Sequence, residues 1–460
     1  MLRTVCDQPT LWETILPPEV LGLGGELAAV DALLDDPRFF EPFRAYFDPR
    51  FGRPSIPIET YLRLMFLKYR YRIGYETLCR EVADSISWQR FCRIPLGGRT
   101  PHPTTLMKIT TRCGSEVVDQ LNEVLLAKAV EARLVKTNRV RADTTVVEAD
   151  VCYPTDSGLL TKAIGKASRL VERIQRAGAA TRTQVVDHVG EARSHAHSIG
   201  VWLRRRSGQA KAEVLAISGR LADLASDTIG DAGRVVVNAR RYLARHPHVP
   251  KAGRMRAMID DLDTLVERTH RIIDQTRQRV GGEVPAGATR LVSLHDPDAR
   301  PIRKGRLGKP VEFGYKAQMV DNEDGIILDH NVEVGNPPDG PQLVPAIQRV
   351  TARCGRPPDQ VTADRGYGKA SIQKELEDLG VGTVAIPRPG RPTPKRAARQ
   401  KEPDFAELIR WRTGAEGRIS ALKRQHGWSR TRLGGIEGAR TWCGHGVLSH
   451  NLTKLARLQQ

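Results

Sequence analysis

The sequence predicts an α/β chain: a mixed β-sheet with a large helical insertion, preceded by an all-helical N-terminal domain. Three observations carry this. Apolar residues recur at helical intervals through residues 1–135, the period falls to two at Asn138, and helical spacing returns through residues 159–280 before strands resume. At 460 residues the chain can bury more than one core, and 40% hydrophobic against 27% charged residues marks it as globular.

In "IPIETYLRLMFLKYRYRIGYETLCREVADSISWQRFCRI", Tyr61, Leu64, Met65, Leu67 and Lys68 fall on one helix. Gly74 breaks the pattern, Leu78, Val82 and Ala83 mark a second helix, and Asp84 or Ser85 caps a third. Three short helices fit either a helix-turn-helix, with Arg90 and Arg93 near a DNA groove, or a plain bundle used for dimerisation. "GGRTPHPTTLMKIT" supplies a loop and a cap, Thr104 or Thr105, for a helix running to Arg133. "NRVRADTTVVEA" alternates as a strand should, with Arg141, Asp143, Thr145 and Val147 on one face.

Leu159, Ala163, Ala167 and Leu170 then open a helical segment whose longest stripe is Met255, Met258, Ile259, Leu262, Leu265 and Val266. Its "WLRRRS" and "ARRYLARH" runs are solvated faces or backbone-phosphate contacts. "VEFGYKAQMVDNEDGIILDHNVEV" reads as a hairpin turning over Asp321 to Gly325. A helix from Gln342 to Cys354, a strand through Val361, a helix from Lys369 to Leu379 and "TVAIP" complete the sheet. "RPGRPTPKRAARQK" reads as an extended linker with six cations. Helices around Phe405–Lys423 and Ile436–Leu458 end the chain. The division expected is 1–135 for the N-terminal domain, 136–158 with 286–430 for the sheet domain, 159–285 for the insertion and 431–460 for a C-terminal helical segment.

Lys and Arg total 72 against 53 Asp and Glu, a net charge of +19 that favours a polyanionic partner, nucleic acid first. Aromatics at 5% advertise no base-stacking surface. The seven cysteines (6, 79, 92, 113, 152, 354 and 443) form no Cys-x-x-Cys pair, which suits free thiols in a reducing cytosol. "CGHGVLSH" lacks a second ligand pair for a metal, and no phosphate-binding glycine loop calls for ATP. The N-terminus has charges and prolines where a signal peptide needs an apolar run, and no apolar run is long enough to span a membrane.

Three acidic residues stand out by position: Asp143 in the first strand, Asp364 at the end of a later one and Glu416 in a helix after the sheet. Singly, Asp364 is an ordinary turn former, Glu416 a surface charge and Asp143 a loop cap. Together they suit the two-metal site of an RNase H-like fold, where converging carboxylates gather hard divalent cations for in-line phosphodiester attack. Asp143 and Asp364 lie 221 positions apart (364 − 143), an excess that an insertion between strands explains, and Glu416 follows 52 positions later (416 − 364).

Over nearly its whole length the chain resembles bacterial insertion-sequence transposases of the DDE superfamily, in the branch with an inserted RNase H-like domain. "RPSIPIETYLRLMFLKYRYRIGYETLCREV" through "PHPTTLMK" is similar to that family's N-terminal helical domain. "RADTT" resembles its first-Asp motif, "DPDAR" with "GYKAQMV" its middle strands, and "TADRGYG" its second-Asp motif. Arg412, Glu416 and Lys423 match the Arg–Glu–Lys part of the third motif; Ile409 stands where the family has Tyr. The resemblance implies two Mg²⁺ ions, replaceable by Mn²⁺, held by Asp143, Asp364 and Glu416. It implies cleavage at the element's terminal inverted repeats and transfer of the freed 3′-hydroxyl to target DNA. Arg412 and Lys423, on one helix with Glu416, would hold phosphates with Arg365, and Gly366 and Gly368 would let substrate come close. A homodimer on double-stranded DNA, in the bacterial cytoplasm with the nucleoid, completes the expectation. The alternative is a non-catalytic DNA-binding protein derived from such an enzyme, or a structure-selective nuclease with the same site.

Overall fold

The structure is a computed structural model that describes residues 1–5, 15–205, 208–304, 308 and 310–459; Cys6, and Arg206 and Ser207 of the "WLRRRS" run, lie outside the described residues. The chain forms two compact units, Met1–Asp150 with Tyr315–Glu333 and Pro337–Gln460, and Val151–Gly314 with Val334–Asn336.

The first unit opens with helices α1 (Gly25–Leu34), α2 (Ile58–Arg70), α3 (Tyr75–Asp84), α4 (Ile86–Phe91) and α5 (Pro103–Glu131). Helix α2 is buried on every side from Ile58 to Tyr69, as expected of a helix at the centre of its core rather than on its surface. Ser85 caps α4 by accepting from the Trp88 amide. The cap of α5 is His102, whose imidazole accepts from the Thr104 amide, and neither Thr104 nor Thr105. Pro103 accounts for the shift, because a proline with preset φ and no N–H takes the first helical position. Helix α4 has only six residues, about 9 Å of axis.

The second unit holds α6 (Asp156–Arg176), α7 (Val189–Trp202), α8 (Gly208–Arg245) and α9 (Ala252–Val280), closed over a core that includes Leu160, Ile164, Leu221, Ala225, Leu262 and Ile273. Trp202 packs at the margin of this core, with Arg205 over its ring at 4.4 Å.

Strands β1 (Arg139–Glu148), β2 (Arg300–Arg303), β3 (Val311–Asn322), β4 (Ile327–Val334), β5 (Gln360–Ala363) and β6 (Thr383–Ala385) make a mixed sheet. β1 lies between β3 and β5, β4 pairs with β3, and β6 pairs in parallel with β5 at the edge. β2 runs antiparallel to Val311–Gly314. The β-branched run of β1, Thr144 to Val147, suits a strand covered on both faces.

Helices α10 (Gly340–Cys354) and α11 (Ala370–Asp378) flank β5 in sequence. The expected extended linker is in part helical, α12 (Pro394–Lys401), because Thr393 caps it through the Arg396 amide and Pro394 again fills the first position. After it come α13 (Pro403–Arg412), α14 (Gly414–Gln425) and α15 (Gly435–Leu458). The "CGHGVLSH" residues are core: Cys443, His445 and His450 are buried in α15, and His445 stacks on Tyr69.

Gly366 and Gly368 face the chain's own atoms. A Cβ on Gly368 would lie 2.0 Å from the Pro387 carbonyl oxygen, and one on Gly366 would lie 2.9 Å from Asp339 Oδ2. These glycines admit neighbouring backbone and side chain, where the sequence reading gave them to substrate. Gly368→Ala is therefore expected to cost about 1–3 kcal/mol of stability by overpacking. A thermal melt unchanged from wild type would contradict that close approach.

Candidate catalytic carboxylate site

The parallel register of β1 and β5 leads straight to the acidic residues. Its last paired rung is Ala142 with Ala363, so Asp143 and Asp364 follow one step beyond it on adjacent strands. Paired residues of a parallel ladder project to the same face, which sets both carboxylates on the side of Arg141 and Thr362. Past Asp364 the chain leaves the sheet in a short turn, Arg365–Tyr367, and Asp364 is exposed there. Asp143 is half-buried, and its Oδ1 accepts from the Thr144 amide at 2.8 Å.

Arg412 and Glu416 approach from α13 and α14. Arg412 Nη1 stands 3.9 Å from Asp364 Oδ1. Burial pushes the Asp143 carboxyl up to about 6; Asp364 and Glu416 push it the same way, while the Thr144 amide and Arg412 pull it down. Asp143, Asp364, Arg412 and Glu416 thus share one electrostatic neighbourhood.

The single helix expected over Phe405–Lys423 is two. α13 ends at Arg412 and α14 starts at Gly414, so Arg412 and Glu416 do not sit one turn apart on one helix. Two features mark the break. Thr413 Oγ1 donates back to the Arg410 carbonyl, and a Cβ at Gly414 would lie 2.4 Å from Arg141 Nη1. Lys423 remains with Glu416 on α14, seven residues on.

Arg141 belongs to a buried network that the sequence reading missed. Its guanidinium grips Asp321 at 2.8 and 2.9 Å, donates to the Trp411 carbonyl at 2.7 Å and lies over the Trp411 ring at 4.5 Å. Arg418 Nε meets the same carboxylate at 3.1 Å, and Asp321 has no exposed surface. Asp321 was expected in the hairpin turn, but it lies inside β3. The turn follows Asn322, the last residue of β3, whose side chain accepts from the Ile326 amide. The available signal was period-two spacing, which puts Asp321 on one face of β3 with Tyr315, Ala317 and Met319. Nearby, Thr144 donates to Asp339, Lys316 pairs with Asp339 at 2.7 Å, and Gln318 donates to the Tyr367 hydroxyl.

The other cations singled out from the sequence are engaged within the chain. Arg365 donates to the carbonyls of Arg388 and Gly390. Arg90 donates to the Leu21 carbonyl, and Arg93 pairs with Asp31 at 3.0 Å. Ile409 is half-buried against the Ala385, Phe405 and Leu408 cluster.

Residues 266–452 match the family model of the Transposase DDE domain, and residues 19–112 match that of the Transposase domain (DUF772). The chain belongs to the insertion-sequence DDE transposases. The first match spans Asp364, Arg412, Glu416 and Lys423, while Asp143 precedes it. A protein of Rhizobium meliloti described as "Uncharacterized protein ORF8 in nfe locus" is 28% identical over 137 residues, 28% of this transposase and 63% of that relative's length. The chain thus covers less than two thirds of the relative. No solved structure matches. Transposases of this family act on DNA and generally use divalent metals. Among the described residues no three Asp, Glu, His or Cys side chains already enclose a common point, and no helix is long and apolar enough to cross a membrane. The donor set fits a hard cation nonetheless: it is all carboxylate oxygen, and such a cation would offset the burial, and after it the repulsion from Asp364 and Glu416, that raise the Asp143 carboxyl.

Two outcomes follow. Asp321→Asn leaves two guanidinium groups inward without their anion and is expected to cost about 3–5 kcal/mol, read by chemical denaturation. Asp143→Asn is expected to do the opposite in metal-free protein. The folded carboxyl titrates at about 6 against an ordinary 3.8, so folding takes up a proton between those values. Its contribution is present at low pH and lost as pH rises through 6. At pH 7 the variant should gain on the order of 2 kcal/mol, shrinking toward pH 4. A gain independent of pH would show that burial and carboxylate repulsion do not govern Asp143.

Proposed function

We propose that the transposase cuts DNA at the ends of its insertion element and joins the freed 3′-hydroxyl to target DNA. The observation that carries this reading is the register that sets Asp143 and Asp364 side by side, with Glu416 acting on the same neighbourhood. Asp143, Asp364 and Glu416 would hold the metal, two Mg²⁺ ions with Mn²⁺ as substitute. When bound, such a pair supplies activation of the attacking oxygen and stabilisation of the leaving one. A mixed sheet that carries Asp143 within β1 and Asp364 just past the end of the adjacent β5, with Glu416 on the following helix α14, supports an RNase H-like catalytic domain formed by 136–158 and 286–430.

The chain's own residues position the DNA. Arg412, beside Asp364, suits a bidentate grip on the phosphate next to the cleaved bond once metal takes over the carboxylates. Lys423 extends the cationic track along α14. Arg365 braces the 388–390 segment beside the same phosphate path. The helices of 1–135 serve end recognition or dimerisation; Arg90 and Arg93 reach a phosphate only by releasing Leu21 and Asp31. The helical insertion 159–285 adds basic surface, and residues 431–460 anchor the C-terminal helix. A homodimer on DNA brings two ends together, and the cytoplasmic nucleoid is where both substrates lie. No ATP is required, since each transfer exchanges one phosphodiester for another after the initial hydrolysis.

The reading is tested by Mg²⁺-dependent nicking of the element's terminal DNA by wild type and Asp364→Asn. Wild type is expected to nick specifically at the ends, and the variant to bind the same DNA with cleavage reduced at least about 100-fold, the scale of losing a stabilising group at a reacting centre. Tight end binding without nicking by wild type, in Mg²⁺ or Mn²⁺, would establish the non-catalytic DNA-binding alternative.

A further inference from the structure

A second cationic site lies at the turn between α2 and α3. Lys68 is 3% exposed, and its ammonium sits 4.3 Å from the Trp442 ring, 4.6 Å from Tyr69 and 4.7 Å from Tyr75. Among the described residues no carboxylate pairs with it. Lys68 instead lines a cavity of about 130 Å³, shared with Arg72, Ser429, Arg430, Arg432 and Trp442. No acidic side chain lines that cavity. Gly74, the N-cap of α3, also lines it, and Glu76 stands in the first turn of that helix. Burial, and then Arg432, pull the Lys68 ammonium down to about 7, a cost that an anion seated beside it would remove. The volume corresponds to roughly four waters at about 30 Å³ each, enough for one phosphate group.

We propose that this cavity is a backbone-phosphate site for duplex DNA, with Lys68 as its floor and Arg72 and Arg432 at its mouth. The inference rests on the transposase reading above and deepens it. Two connections make DNA the source of the phosphate. Arg72 donates to the carbonyl of Arg424 at 2.8 Å, the last turn of the helix that carries Glu416 and Lys423. Arg430 pairs with Glu148 at 3.1 Å, at the far end of the strand that carries Asp143. The five strand steps from Asp143 to Glu148 span about 17 Å at about 3.3 Å each. At about 3.4 Å per step, that is roughly five base pairs of duplex. One duplex can reach both places, and a phosphate held here sets the register of the strand over the carboxylates.

The test uses the full chain with Lys68→Met and Arg432→Ala, and a duplex carrying the element's end beside a scrambled duplex of equal length. Affinity is read across about 50 to 200 mM salt. Each variant is expected to bind both duplexes several-fold more weakly and to lower the log–log salt slope by about one. Lys68→Met removes a buried unpaired charge and keeps the stem's volume, so its melting temperature should equal or exceed that of wild type. A folded Lys68→Met with unchanged affinity and slope overturns the proposal and leaves Lys68 a packing residue. Arg432, exposed at the mouth, keeps the test decisive should Lys68→Met fail to fold. Inorganic phosphate separates the sources. If it raises the wild-type melting temperature in a Lys68-dependent way while neither duplex responds to the substitutions, the site takes free phosphate and the DNA assignment falls. Binding with altered slopes but no cleavage by wild type would sink the catalytic reading and leave this site standing.

Discussion

The buried carboxylate of Asp321 is the point on which the site depends. It is fully enclosed and satisfied by two guanidinium groups, Arg141 from β1 and Arg418 from α14. A buried ion pair of this kind adds little net stability over an apolar packing, because desolvation offsets most of the Coulombic gain. What it supplies is geometry. Arg141 stands two positions before Asp143 on the same face of β1, with only Ala142 between them, and its other nitrogen holds the Trp411 carbonyl next to Arg412. Arg418 fixes the helix two residues after Glu416. One anion thus aligns a strand and two helix termini that bring the chemistry-bearing groups together.

Around that anchor, the site stores electrostatic tension. Asp143, half-buried within β1, is repelled by the exposed carboxylates of Asp364 and Glu416, and Arg412 is the nearby cation that pulls the other way. Three carboxylates with one guanidinium are left with excess negative charge inside a chain whose net charge is +19. The pattern is coherent for an enzyme on a polyanion: the general surface attracts DNA, and the acidic cluster is reserved for cations that the DNA phosphates also coordinate.

Much of this was readable from the chain. Asp143 declared itself by its place within the first strand and Asp364 by its place at the end of a later one, and Arg412, Glu416 and Lys423 by their spacing. Other features hid for identifiable reasons. Asp321 lies in "VDNEDG", a string rich in turn formers, so local composition pointed to a turn while strand pairing carried β3 two residues into it, through Asn322. The break at Thr413 was invisible because Thr-Gly tolerates a helix, and so was the packing of Arg141, far away in sequence, into the space a side chain on Gly414 would need. The helix at Pro394–Lys401 was masked by the prolines before it, although Thr393 and Pro394 are themselves start signals.

By itself, then, the sequence determined the alternation of helical and strand periods, the early helical insertion, the basic character of the chain and the residue types of the acidic cluster, since all of these are local patterns or sums. Only the tertiary structure decided which of its charges are working groups and which are fasteners. Arg90, Arg93, Arg141 and Arg412 look alike in a string of letters. Their roles separate once Leu21, Asp31, Asp321 and Asp364 are brought beside them, because a charge acquires its function from the partner and the dielectric that folding assigns to it.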